Sequence, residues 1–218
     1  MDNKMYRNTA SALRLHDKPK LHYSLLCIGL LAFLACFSCR SVPLPIPKAI
    51  MGTGSMTKEQ LVCFFLTQAA ETERQKIERL AEYYREEAAT EGINADIAFA
   101  QMCLETGFLR FGGLVTAEMN NFCGLGAINA ENRGHSFPDE RTGVRAHIQH
   151  LKAYASAEPL SLPAADPRYH YVNPKGKAPH IYQLAGTWAA DPAYGHKMEQ
   201  LLRRMYADCD IATAAAKR

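Results

Sequence analysis

The stretch Ile93–Ala127, INADIAFAQMCLETGFLRFGGLVTAEMNNFCGLGA, predicts a short helix, a glycine-rich turn and a second tight segment. Gly92 suits the end of the preceding helix, and Asn94 suits the N-cap of the next one. The helix consists mainly of small and apolar residues, so we expect it to lie at the centre of the fold. Glu105 stands at the end of this helix, followed by a Thr-Gly turn. A carboxylic acid in this position is a candidate acid catalyst at the floor of a groove.

Helical patterns extend on both sides of this stretch. Thr57 and Gln60 form a capping-box signature at the start of the domain, and a charged amphipathic helix runs through Glu91. A further helix is predicted to begin at Val144, and a last one to run over residues 193–207. Alternating strand patterns are nearly absent, so about six helices with one polar insertion predict a mainly α domain.

The first 39 residues have the organisation of an export signal. A basic segment precedes the apolar run Ser24–Ser38, which is shorter than the roughly 20 residues that a membrane-spanning helix needs. The run ends in small residues and cysteines and resembles a bacterial lipoprotein signal. Cys39 is the predicted lipidated residue and Cys36 the second candidate; the alternative is an uncleaved N-terminal anchor helix. Both interpretations place the domain outside the cytoplasm, in the cell envelope.

Composition divides the rest of the chain and limits its partners. Residues 40–56 are rich in proline and glycine and are predicted to be a linker, followed by a domain at 57–210 and a tail at 211–218. Hydrophobic residues make up 48% and charged residues 22% of the chain, values typical of a globular protein. Beyond the leader, 20 basic residues balance 20 acidic ones. No basic patch indicates nucleic acid as a partner.

Cysteine and histidine spacing predicts no metal site. Spacing alone does not choose a disulfide pairing among the four cysteines of the domain, and their apolar neighbours favour buried free thiols. His147 and His150 lie three apart on a predicted helix, but no third ligand stands at a familiar spacing. We therefore expect no metal and no other cofactor. The four cysteines are Cys63, Cys103, Cys123 and Cys209.

Three segments occur in a fixed order along the chain: AFAQMCLETGF at 98–108, MNNFCGLGA at 119–127 and GTWAADPAYGHKM at 186–198. A polar insertion separates the second from the third. In this order they resemble the bacterial peptidoglycan N-acetylglucosaminidase family, glycoside hydrolase family 73, over about Thr57–Asp208. The resemblance implies a lysozyme-like α-fold, with a groove between two lobes, one of them a small polar loop or β-hairpin.

The resemblance also assigns roles to single residues. Glu105 matches the catalytic acid of the family, whose motif more often reads Glu-Ser-Gly. Asn121 and Phe122 match its Asn-Asn-Phe/Leu segment and are predicted to hold the sugar. Tyr194 matches the third motif and is predicted to hold the sugar or to act through its hydroxyl; the alternative is that it anchors the last helix. Trp188 falls where many members carry a tyrosine that is thought to assist the reaction through its hydroxyl. The indole keeps a stacking surface for a sugar but offers only an N–H donor.

The residues around Glu105 favour the same chemistry. Cleavage of a glycosidic bond needs an acid that is protonated near neutral pH. Leu104 and Phe108 flank Glu105, and apolar surroundings raise the pKa of a carboxyl group because they disfavour its anion.

A second carboxylate is not identified by sequence. Glu140, Asp139 and Glu131 are the candidates in the polar segment 127–143. A retaining nucleophile stands roughly 5–5.5 Å from the acid and an inverting base roughly 6.5–9.5 Å away. In a third route the 2-acetamido group of the substrate is the nucleophile.

Together with the export signal, the resemblance thus implies a monomeric, lipid-anchored hydrolase that cuts the β-1,4 bond after N-acetylglucosamine in peptidoglycan glycan strands. A lytic transglycosylase or muramidase on the same fold is the nearest alternative, because these enzymes also work with one glutamate. A non-catalytic glycan-binding envelope protein is another, supported by the Trp188 substitution. The last alternative is a hydrolase that pairs Cys103 or Cys123 with His147.

Overall fold

A computed structural model describes residues 45–216, with side chains through Ala207. The predicted export signal and its candidate lipidation sites, Cys39 and Cys36, lie outside these residues. Within them the only β-structure is a set of isolated bridges, so the predicted mainly α, lysozyme-like class is confirmed. The α-helices are α1 (Lys58–Gln68), α2 (Arg74–Glu91), α3 (Ala95–Thr106), α4 (Glu140–Ala155) and α5 (Tyr194–Ala216). Short 3-10 helices are formed by Ala117–Met119, Pro167–Tyr171 and Ile181–Leu184.

Helix α3 is the central helix, as its composition predicts. The side chain of Asn94 accepts hydrogen bonds from the N–H groups of Asp96 and Ile97, which caps the helix. Gly92 and Gly107 adopt left-handed conformations, with φ of 73° and 56°, at the ends of α2 and α3. All residues of α3 except the two directly before Thr106 are buried. The rest of the domain therefore encloses the helix, and only its C-terminal turn reaches solvent.

Helix α4 begins earlier than the sequence predicts. Asp139 accepts the N–H of Thr142 at 2.7 Å and caps the helix at Glu140, four residues before the predicted start at Val144. Gly143 is a poor helix former, which made the start of α4 resemble a loop. The polar insertion is correspondingly shorter. Helix α5 is longer than predicted and continues to Ala216.

Gly143 has a packing function. A Cβ at this position would lie 1.8 Å from the carbonyl oxygen of Asn120 and 3.4 Å from the ring of Phe122. Only glycine lets the Asn-Asn-Phe segment approach α4 this closely. This contact holds the second motif beside the helix that follows it.

The segment before α1 packs on the domain. Ile50 is fully buried; its N–H donates to the carbonyl of Pro179, and its own carbonyl accepts the N–H of Asn94. Met56 is also buried. The prediction of a linker over 40–56 is therefore wrong from Ile46 onward, because apolar side chains between its prolines and glycines pack on the core.

None of the helices in the described part of the chain combines the length and apolar character needed to cross a bilayer.

Candidate active site

Glu105 lies at the C-terminal end of α3 and receives two hydrogen bonds on one oxygen. The indole Nε1–H of Trp188 donates to Oε1 at 3.0 Å, and the hydroxyl of Tyr194 donates to the same atom. No described protein group hydrogen-bonds to Oε2. The donors stand 83 and 89 residues further along the chain, so the first and third motifs meet here.

A cleft of about 170 Å³ opens in front of Glu105. One wall is the glycine-rich turn after α3, including Phe111 and Gly112, and the other includes Asn121 and Gly124 of the second motif. A larger hollow of about 670 Å³ lies between the end of α3 and α5 and does not include Glu105. The smaller cleft is the candidate site because it contains the carboxylic acid.

The turn that forms this wall has an unusual backbone. Phe108, Leu109 and Phe111 all have positive φ, of 57°, 61° and 50°. Left-handed conformations of non-glycine residues cost energy and often cluster at functional sites. Thr106 stabilises the turn because its Oγ1 donates to the carbonyl of Met102 at 2.7 Å and accepts the N–H of Leu109 at 2.9 Å. The threonine in the Glu-Thr-Gly motif is thus a structural element of the site.

Two opposing effects set the pKa of Glu105. Its side chain is open to solvent towards the cleft, but protein surrounds it on the other sides, and this partial desolvation raises its pKa. The hydrogen bonds from Tyr194 and Trp188 lower the pKa because they stabilise the anion. Desolvation is the larger effect, so the net pKa is above that of an ordinary glutamate. The site therefore favours a protonated acid and also stabilises the carboxylate that remains after proton transfer.

Tyr194 is held as a donor. Its ring is buried, and its Oη accepts a hydrogen bond from Nε2 of Gln101 at 2.8 Å. Burial, followed by the neighbouring Glu105, raises the pKa of Tyr194 far above that of an ordinary tyrosine. The hydroxyl therefore keeps its proton and directs it towards Glu105.

Comparison with known sequences decides the family. The sequence profile of the glucosaminidase family, described as mannosyl-glycoprotein endo-beta-N-acetylglucosaminidase, matches residues 81–207, more than half of the chain. The chain belongs to the glucosaminidase family. Membership makes it a glycoside hydrolase. An uncharacterized protein of Borreliella burgdorferi (strain B31) is 42% identical over 153 residues, which span 70% of this chain and 74% of that protein. No solved structure gave a significant match.

Two predicted sugar contacts of the glucosaminidase have other roles in the fold. The amide of Asn121 donates to the carbonyls of Leu125 and His135 and accepts the N–H groups of Leu125 and Cys123. All its hydrogen-bonding capacity is used to shape the loop. Phe122 is only 1% exposed and packs in the core, so its ring cannot stack on a sugar. Asn121 thus shapes the loop that lines the cleft, and Phe122 packs behind that loop in the core. Sugar binding by Asn121 stays a prediction.

The three candidate second carboxylates do not contact Glu105. Glu140 accepts a hydrogen bond from Nε of Arg79 at 3.1 Å, and Asp139 caps α4. Hydrogen bonds at this helix start lower the pKa of Asp139, the first of them from the N–H of Thr142. Glu131 is exposed in the turn closed by the Ala127–Arg133 bridge. The carboxylates of Asp139 and Glu140 thus have structural partners.

The buried cysteines and histidines do not form a nucleophilic pair. His147 contacts Tyr84 through Nδ1 and Gln101 through Nε2, which occupies both ring nitrogens. Burial raises the pKa of the Cys103 and Cys123 thiols well above that of an ordinary cysteine. A reactive cysteine requires the thiolate, so the Cys/His hydrolase is not supported. Cys63, Cys103 and Cys123 are free thiols.

Proposed function

We propose that this glucosaminidase cleaves the β-1,4 bond after N-acetylglucosamine in peptidoglycan, with Glu105 as the general acid. The observation that carries the proposal is the pair of donors, Trp188 and Tyr194, on one oxygen of a carboxyl group at an open cleft. Family membership supports glycan hydrolysis in general, and the geometry supports Glu105 as the group that acts.

The geometry suggests how the acid works. Because Oε1 accepts two hydrogen bonds, the carboxyl proton resides on Oε2. As the bond to the leaving sugar breaks, this proton passes to the glycosidic oxygen and negative charge develops on Glu105. Trp188 and Tyr194 already point at Oε1, so they stabilise that charge without reorganisation.

For the other side of the sugar we propose substrate assistance. Asp139 and Glu140 are engaged in the fold, which favours a nucleophile that the substrate brings with it. In this route the oxygen of the 2-acetamido group bonds to the anomeric carbon as the glycosidic bond breaks. Water then opens the resulting ring, so the product retains the β configuration.

We also propose that residues 1–39 export the enzyme and that a lipid on Cys39 anchors it to a membrane of the cell envelope. The linker would then be limited to the few residues between Cys39 and the first packed residue, Ile46. Metabolic labelling with palmitate tests the anchor. We expect Cys39→Ala to lose the label; label that persists in Cys39→Ala and disappears in Cys36→Ala would show that Cys36 carries the lipid.

Digestion of purified peptidoglycan tests the proposed bond. We expect fragments with reducing N-acetylglucosamine ends, identified by mass spectrometry after borohydride reduction. Reducing muramic acid ends would indicate a muramidase, and 1,6-anhydromuramic ends a lytic transglycosylase. A β-anomer observed by NMR directly after cleavage would support substrate assistance, whereas an α-anomer would exclude it.

A further inference from the structure

A line of hydrogen-bonded side chains leads from Glu105 into the core. Tyr194 is bonded to Gln101, whose Oε1 lies 3.0 Å from Nε2 of His147. The other ring nitrogen of His147, Nδ1, lies 2.8 Å from the hydroxyl of Tyr84. Four helices contribute to this line: Tyr84 comes from α2, Gln101 and Glu105 from α3, His147 from α4 and Tyr194 from α5.

Trp188 determines which group donates and which accepts in each hydrogen bond of the line. An indole can only donate, so Oε1 of Glu105 is an acceptor, and Tyr194 also donates to it. Gln101 then donates its amide N–H to Tyr194, which leaves its carbonyl oxygen to face His147. The hydrogen in that contact must come from Nε2 of the imidazole.

The same reasoning fixes the tautomer of His147. A neutral imidazole with its hydrogen on Nε2 has an acceptor at Nδ1, and the hydroxyl of Tyr84 donates to it. Burial, and after it the neighbouring His150, lowers the pKa of His147 to about 3, so the ring is neutral near neutral pH. Among the described residues no buried polar side-chain atom lacks a partner, so the line is complete.

His147 also touches the second donor. Its ring centroid lies 5.8 Å from that of Trp188 and 5.7 Å from that of Tyr84. The imidazole thus acts on Tyr194 through Gln101 and supports the Trp188 indole by direct packing. Both donors to Glu105 depend on this one side chain.

We propose that His147, as its Nε2–H tautomer, is a positioning residue that orients Gln101 and, through it, keeps the Tyr194 hydroxyl and the Trp188 indole on Oε1 of Glu105. The inference rests on the proposed role of Glu105 as the acid. Its effect is to confine the carboxyl proton to Oε2, the oxygen available to the substrate. Loss of the line would leave Gln101 and Tyr194 free to reverse their hydrogen bonds, and the acid would present its proton on either oxygen.

Substitution of His147 tests this positioning role. We expect His147→Phe, which keeps an aromatic ring but removes both hydrogen bonds, to lower kcat on peptidoglycan by up to about 100-fold with little change in KM, as small misplacements of catalytic groups do. His147→Gln retains an amide N–H towards Gln101 and should recover most of the rate.

His150→Phe is the matched control. It removes a buried histidine bonded to Asp166 one helical turn further along α4, outside the line, and should lower Tm without lowering kcat.

The tautomer gives a readout that does not depend on activity or on a folded variant. Long-range ¹H–¹⁵N NMR spectra of the wild-type protein should place the hydrogen of His147 on Nε2, with no titration between about pH 5 and 8, the range in which an unperturbed histidine changes charge. A hydrogen on Nδ1, or titration in this range, would overturn the inference. So would wild-type kcat in His147→Phe. If the wild-type enzyme left peptidoglycan intact while the tautomer was as expected, the proposed function would fail and the hydrogen-bonded line would stand.

Discussion

Replacing Glu105 with glutamine is expected to lower kcat on peptidoglycan by about 10²- to 10⁴-fold, the contribution that a positioned general acid makes. The glutamine carbonyl can accept the hydrogen bonds of Trp188 and Tyr194, so the site keeps its geometry. The amide nitrogen that replaces Oε2 has no proton acidic enough to transfer. Release of soluble muropeptides from purified cell walls measures the loss.

The chain offers a matched control for this substitution. Glu199 on α5 also accepts a hydrogen bond from a tyrosine, since the hydroxyl of Tyr182 donates to its Oε2 at 2.6 Å. Glu199 does not line the cleft, so Glu199→Gln should retain activity. A Glu105→Gln enzyme that retained more than about a tenth of the wild-type rate would exclude Glu105 as the acid.

The same variant also gives a pH signature in stability. The folded-state pKa of Glu105 is raised, so the wild-type protein is most stable relative to Glu105→Gln below the pKa of an unfolded-state glutamate. That advantage is lost as pH rises through the folded-state pKa, where the partly desolvated carboxyl must ionise. Thermal unfolding of both proteins across this range should show the wild-type Tm falling relative to the variant.

Local signals in the sequence predicted the central part of the fold. The cap of α3 at Asn94 and the glycines that end α2 and α3 depend on residues near in sequence, and all form as predicted. The start of α4 has a local cap at Asp139, but its Gly143 packs against the distant Asn120, and the packing of Ile50 also depends on distant segments. Those two predictions failed because glycine, proline and loop composition do not reveal which surfaces the chain will cover.

The candidate site likewise contains residues that the sequence motifs identified and residues that only the fold brings in. Motif order singled out Glu105, Trp188 and Tyr194, and the fold brings them together. Motif order could not distinguish a side chain that lines the cleft from one behind it. Phe122 matched the motif and is in the core. Gln101 was missed as part of the site, although a polar residue one turn before Glu105 on a buried apolar helix was a signal that could have identified it. The role of His147 depends on four helices and has no signature in the sequence.

Replacing Tyr194 with phenylalanine is expected to lower kcat by about 10²- to 10³-fold, the loss seen when one donor to a developing anion is removed. The ring still fills its buried position, but Glu105 loses one of its two donors. Since that bond lowers the pKa of Glu105, its removal raises the pKa further. A general acid works in its protonated form, so the alkaline limb of the kcat–pH profile should move to higher pH even though the maximal rate falls.

Tyr206 on the same helix separates this effect from a loss of stability. Its hydroxyl donates to Oδ2 of Asp96 at 2.7 Å, so Tyr206→Phe removes the same kind of tyrosine–carboxylate bond at a distance from the cleft. Hydrogen bonds to charged groups contribute about 1.5–3 kcal/mol, so this control should unfold at a lower temperature and cleave peptidoglycan at the wild-type rate. Burial raises the pKa of Tyr194, so its hydroxyl is expected to act on Glu105 as a hydrogen-bond donor. Wild-type kcat in Tyr194→Phe, or an alkaline limb that moved to lower pH, would therefore leave Trp188 as the group that stabilises the ionised acid.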